Sequence, residues 1–191
     1  MRSRIFLTFG VIILLVAIST VLIFLSRQSK PERIEQNQVP VSNTMRIQST
    51  DFENNQTIPK KYSCDGDGIN PSLTFSDVPK DAQSLTLIVD DPDAPSGTFT
   101  HWTLWNIDSK SSGISENSVP SGAIQGNSDA GKIGYVGPCP PSGTHRYFFK
   151  LFALDSKIDL PSGSKRSDLE KMIENHIIAR SELIGLYSRE K

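Results

Sequence analysis

The sequence predicts a mainly β domain, a sandwich with peripheral helices, preceded by a membrane-spanning helix. Strand-like runs dominate the middle of the chain, a single strong helical pattern comes late, and Gly, Ser, Asn and Pro fill the stretches between them. Strands first and a helix late is the order of a sandwich with helices at its edge rather than of an alternating α/β sheet. The amino terminus has a different composition altogether.

Ile5 to Leu25 is an uncharged run of 21 residues, interrupted only by Thr8, Gly10, Ser19 and Thr20. As a helix it reaches about 31 Å, the thickness of a hydrocarbon core. Arg2 and Arg4 precede it and Arg27, Lys30 and Arg33 follow it. A cleaved signal peptide would have a shorter apolar run and a small-residue cleavage site, and Phe24-Leu25-Ser26-Arg27 offers none. Residues 1–25 are therefore expected to anchor the chain as one uncleaved span. The flanking charges nearly balance, so orientation rests on the short leader, which favours an extracytoplasmic domain. Residues 26–44, polar and carrying Pro31 and Pro40, read as a flexible linker. The folded domain is expected over 45–191, long enough for a full core without metal support.

Within the domain, Ser84 to Asp90 (SLTLIVD) is short, β-branched and apolar, as a central strand requires. Phe99 to Ile107 alternates with aromatic residues, placing Trp102 and Trp105 in the core, and His145 to Leu154 is the longest strand candidate. Asp108 to Gly131 is loop. Ser167 and Glu170 have the spacing of a capping box, with Leu169, Met172, Ile173, His176 and Ile177 on one helical face. Glu182 to Tyr187 reads as a final strand.

Composition narrows the function. A charge of −1 and 21% charged residues exclude an electrostatic nucleic-acid binder. The two cysteines lack zinc-site spacing, the histidines lack metal-helix spacing, and no serine lies in a nucleophile elbow, so neither a metal site, a cofactor nor an enzyme is predicted. Two proline-locked turns stand out instead. Asp91-Pro92-Asp93-Ala94-Pro95 precedes His101-Trp102, and Gly137-Pro138-Cys139-Pro140-Pro141 precedes Gly143-Thr144-His145-Arg146-Tyr147. Proline fixes φ, so such turns hold their neighbours at low entropic cost. Meeting at one end of a β fold, they would gather Asp91, Asp93, His101, His145 and Tyr147 around a small polar pocket with anion-binding character. Asp91 and Asp93 could equally cap their turn through Asx bonds. Arg146 points away from His145 and Tyr147 in a strand and is expected to pair elsewhere.

These segments, with Cys64-Asp65-Gly66, Asn70-Pro71-Ser72-Leu73, Trp105-Asn106-Ile107, Gly134-Tyr135-Val136, Ala153-Leu154-Asp155 and the ending His176-Ile177-Ile178-Ala179 and Glu182-Leu183-Ile184-Gly185, resemble the phosphatidylethanolamine-binding protein family. The match is to its bacterial and archaeal Raf-kinase-inhibitor-like branch. The resemblance implies two antiparallel sheets and a small surface cavity for phosphate-like anions. It carries the pocket role to Asp91, Asp93, His101, His145 and Tyr147. In the pocket, imidazole and phenol would donate to phosphate oxygens while the acids orient the imidazoles. The expected function is a membrane-anchored module binding phosphate or a phospholipid headgroup. The alternative is an inhibitor or regulator of a partner protein, such as a protease or kinase. Cys64 and Cys139 both lie in family-matching loops. A bridge between them and two buried free thiols are equally compatible with the sequence.

Overall fold

A computed structural model describes residues 44–189. The proposed anchor and nearly all of the linker lie outside the described residues, and among those described no helix is long and apolar enough to cross a membrane.

Among the described residues nine strands form two sheets. The smaller sheet is β1 (Arg46–Ser49), β3 (Leu73–Ser76) and β6 (Gly113–Ile114), in the order β1-β3-β6 and antiparallel throughout. The larger contains β2 (Gln56–Thr57), β4 (Ser84–Asp91), β5 (Phe99–Asp108), β7 (Ile124–Gln125), β8 (Thr144–Leu154) and β9 (Ile177–Ser188). Its order is β2-β9-β8-β4-β5-β7. The expectation of two wholly antiparallel sheets needs one correction, because β2 runs parallel to β9. β2 is only two residues long, and backbone bonds on either side of it, Asn55 to Ile184 and Ile58 to Leu186, hold it to that edge.

The core lies between the sheets. Ile47, Leu73 and Phe75 from the small sheet meet Leu85, Leu87, Val89, Trp102, Leu104, Phe149 and Leu151 from the large one. A second cluster, with Ile88, Trp105, Leu154, Ile158, Leu169 and Ile173, covers the opposite face of the large sheet. Every residue of β4 is buried, since it sits centrally with both faces covered. That is why its sequence reads as a near-continuous apolar run rather than an alternation. The two tryptophans lie three apart on β5 and serve different layers, Trp102 between the sheets and Trp105 under the helix.

Among the described residues the helical content is one α-helix, α1 (Arg166–Ile173), and a 3-10 turn at Lys60–Tyr62. The predicted capping box does not form. Lys165 occupies the cap without a side-chain bond, Ser167 lies inside the helix, and Glu170 turns to Arg166 at 2.7 Å. Arg166 also reaches the buried Asp90 carboxylate at 2.7 Å, where Lys150 joins it at 2.8 Å. Docking Arg166 on Asp90 of β4 therefore fixes the helix start. His176 and Ile177 fall beyond the helix, and β9 begins at Ile177, where pairing with Leu154 of the long strand β8 takes over.

Candidate functional site

The site grows from one end of β4. Asp91, its last residue, turns both carboxylate oxygens to structural use. Oδ1 accepts the Asp93 N–H at 2.8 Å, closing the proline turn as an Asx bond, and Oδ2 accepts from His145 Nδ1 at 2.7 Å. Asp91 and His145 are both nearly buried, at 5% and 8% side-chain exposure. His145 lies near the start of β8 on its inward face, with Tyr147 and Phe149 following at every second residue.

His101 arrives by a less regular route. In the β4–β5 ladder Val89 pairs with Trp102 and Asp90 with Thr100, so His101 is an extra, unpaired residue at a β-bulge. A bulge breaks the alternation of faces and re-aims a side chain. Trp102 stays in the core between the sheets, while His101 packs against Phe99 and Tyr147 at ring distances of 4.9 and 5.1 Å. Val136 fills the place of the missing partner. Its N–H donates to His101 O at 3.0 Å, and its carbonyl accepts from His101 Nδ1 at 2.7 Å.

The two histidines and Asp91 line one cavity of about 160 Å³, walled by Ala94, Pro95 and Phe99 on one side and by Val136, Gly137, Cys139, Pro140 and Pro141 on the other. Both proline turns thus border the same opening. Neither His101 nor His145 uses Nε2 in any bond to protein, so Nε2 is the ring nitrogen each offers a guest.

Two predicted members sit differently. Tyr147 does not line the cavity, and its hydroxyl is buried. Burial, with the charges of Asp91 and Asp93 adding to it, pushes its phenol well above the ordinary value, so it stays protonated. Asp93 is also absent from the lining. It grips Arg146 through Nε at 2.9 Å, Nη2 at 2.6 Å and the backbone N–H at 3.0 Å, which clamps the first turn onto β8. These bonds hold the Asp93 carboxyl down to about 2. Arg146 is the expected outward residue, and its partner is this acid. Sequence reasoning missed Val136 and Phe99, whose positions follow from the bulge.

Cys64 and Cys139 form a disulfide with Cα atoms 5.4 Å apart. Cys139 belongs to the cavity wall. The Cys64 loop is anchored in turn: Ser63 Oγ and Tyr187 Oη meet at 2.7 Å, Tyr187 donates to Asp65 at 3.0 Å, and Arg189 grips Asp65 at 2.7 Å. The bridge ties the wall to the end of β9.

Among the described residues no cluster of three or more His, Cys, Asp or Glu could hold a metal ion.

Burial lowers the pKa of His101, outweighing the Val136 carbonyl and the nearby charges of Asp91, Asp90 and Asp129. The unfolded chain takes up this proton near the usual histidine value of about 6.5, and the folded domain resists it to lower pH. Unfolding therefore binds a proton in that window, and the His101 contribution, complete at higher pH, is lost as pH falls through it. The urea midpoint should drop between about pH 7.5 and 5.5, and less so in His101→Gln. An equal drop in both proteins would assign the effect to other groups.

The model of the phosphatidylethanolamine-binding protein family matches residues 48–188. The chain belongs to the phosphatidylethanolamine-binding protein family. A UPF0098 protein of Methanothermobacter thermautotrophicus is 47% identical over 150 residues, 76% of this chain and 99% of that one. Among solved structures, a phosphatidylethanolamine-binding protein homologue of Chlamydia trachomatis superposes with a TM-score of 0.75 at 44% identity, covering 78% of this chain and all of its own. Escherichia coli YbcL, described as a new member of the mammalian family, gives 0.73 at 31% identity, covering 76% and 99%. The two-sheet architecture described above is thus that of the family.

Proposed function

We propose that the domain is a small-anion-binding module, taking phosphate or a phosphorylated headgroup in the cavity between its two proline turns. The observation that carries this reading is the convergence of two imidazoles, each fixed through Nδ1, with both Nε2 atoms left for a guest. Asp91 holds the His145 ring through Nδ1 and so orients its Nε2, while its own oxygens are already engaged. At about 160 Å³ the cavity suits a headgroup-sized guest rather than a drug-sized one. The 21 uncharged residues of Ile5 to Leu25 support placing the module at a membrane surface, on the extracytoplasmic side.

Calorimetric titration with phosphate and phosphoethanolamine tests the proposal. Wild-type protein should bind, and His145→Ala should weaken binding at least about tenfold, the worth of one charge-assisted hydrogen bond. Equal affinity in both proteins would remove the imidazole pair from the site.

A further inference from the structure

We infer that Asn55 is a glycan attachment site, taking a sugar on its side-chain amide from a lipid-linked donor. The inference rests on the extracytoplasmic placement proposed above and is independent of the anion pocket. Asn55-Gln56-Thr57 is an Asn-x-Thr acceptor motif, which asks for a surface asparagine, a hydroxyl two residues later and a middle residue other than proline. One other asparagine in the chain has a hydroxyl at that spacing, in Asn70-Pro71-Ser72. Its middle residue is proline, and Asn70 is buried, its amide nitrogen donating to Pro71 O at 3.1 Å and to Ser115 O at 3.0 Å. Asn70 is closed to the reaction on both counts.

Asn55 is open to it. Glu53 to Thr57 are all exposed. Asn55 stands on a turn closed by the Gln56 N–H donating to Glu53 O at 3.0 Å, with a φ of 62°, a left-handed conformation that asparagine tolerates. Other groups hold this turn to β9. Asn54 Oδ1 accepts from the Ile184 N–H at 2.9 Å, and the Asn55 backbone N–H donates to Ile184 O at 2.7 Å. The Asn55 side chain makes no hydrogen bond among the described residues, whereas Asn106, also left-handed, commits both amide atoms to Ile158 at 2.8 and 2.9 Å. The left-handed turn accounts for asparagine at 55 but not for threonine at 57. The Thr57 hydroxyl is unbonded too, and Thr57 borders an open surface hollow of about 340 Å³ with Pro59, Lys60 and Tyr187. Both halves of the motif are therefore unpaired and reachable.

In the transfer, Asn55 Nδ2 attacks C1 of a sugar held as a lipid diphosphate ester. The N–C bond forms and the C–O bond to phosphate breaks, its electron pair leaving with the diphosphate. One amide proton passes to a base of the transferase. The attached glycan would flank β2, the outer strand of the larger sheet, where unpaired backbone groups otherwise invite pairing with another chain. β9 separates β2 from β8, so the strands that build the anion cavity lie away from the modified edge.

The test uses the full chain purified from membranes of its native host. Trypsin cuts after Arg46 and Lys60, and mass spectrometry should find residues 47–60 carrying one glycan on Asn55. Asn55→Asp keeps a residue that tolerates the left-handed turn and removes the amide nitrogen, so it should lose the glycan completely. Thr57→Ala should lose it as well, and Thr57→Ser should keep it. A glycan retained on residues 47–60 in Asn55→Asp or Thr57→Ala would overturn the inference. Protease added to intact cells reads the sidedness in parallel. An unmodified Asn55 on a domain that protease removes would overturn the attachment site and leave the extracytoplasmic placement standing. An unmodified Asn55 on a domain that protease cannot reach would overturn both.

Discussion

Replacing Cys64 and Cys139 together by serine should destabilise the domain by about 4 kcal/mol, with a fall in Tm of about 8–16 °C. The bridge closes a loop of 75 residues, and in the chain-entropy account that loop sets the magnitude. Both cysteines are exposed, so a phosphine reductant added to the wild-type protein should reproduce the shift without any substitution. The Cys64 N–H bond to Pro138 O at 3.0 Å and the Ser63–Tyr187 contact survive reduction, so the wall should loosen rather than detach. Thermal and urea unfolding measure the effect. A change below about 1 kcal/mol would mean that the unfolded chain is already compact across this span.

Asp91→Ala should cost about 3–5 kcal/mol, the range for removing one member of a buried pair. The substitution strips His145 of its acceptor and the proline turn of its Asx bond in one step. Asp91→Asn separates the two roles. Its amide oxygen can serve one of these donors, while the amide N–H₂ faces a position where only an acceptor fits, so a loss of about 2 kcal/mol is expected. The ratio of the two losses in urea unfolding reads the share carried by the carboxylate. If Asp91→Ala costs under about 1 kcal/mol, the Asp91–His145 contact is not a structural pair.

The strands that build the site were legible because burial leaves a strong pattern. SLTLIVD and HRYFFKLFAL announce central strands, and proline turns mark the loops that flank them. His145 was legible too, since simple alternation on β8 gives its face correctly. His101 was harder. Period two would send it and Trp102 to opposite faces, and the bulge that changes this leaves no local signature in THW. The Asp93–Arg146 clamp depends on contact across 53 residues, so sequence spacing could not reveal that Asp93 turns to a guanidinium instead of the cavity. The helix start was misread for a similar reason. Ser167 and Glu170 satisfy a local rule, but the buried Asp90 on β4 recruits Arg166 and decides where the helix begins. β2 has two polar residues and no pattern at all; only the edge of β9 makes it a strand.

The cavity draws Asp91 from β4, His101 from β5, His145 from β8 and its far wall from the segment around Val136. Three of these are adjacent strands at the centre of the larger sheet. Those central strands cannot separate and keep the pocket, so unfolding of the larger sheet releases the guest. By mass action, a ligand at a hundred times its Kd then adds about 2.7 kcal/mol to the unfolding free energy of the whole domain, or roughly 5–10 °C in Tm. Occupancy and melting report the same equilibrium, so a melting screen against unsorted metabolites ranks candidate guests without any prior guess at their identity.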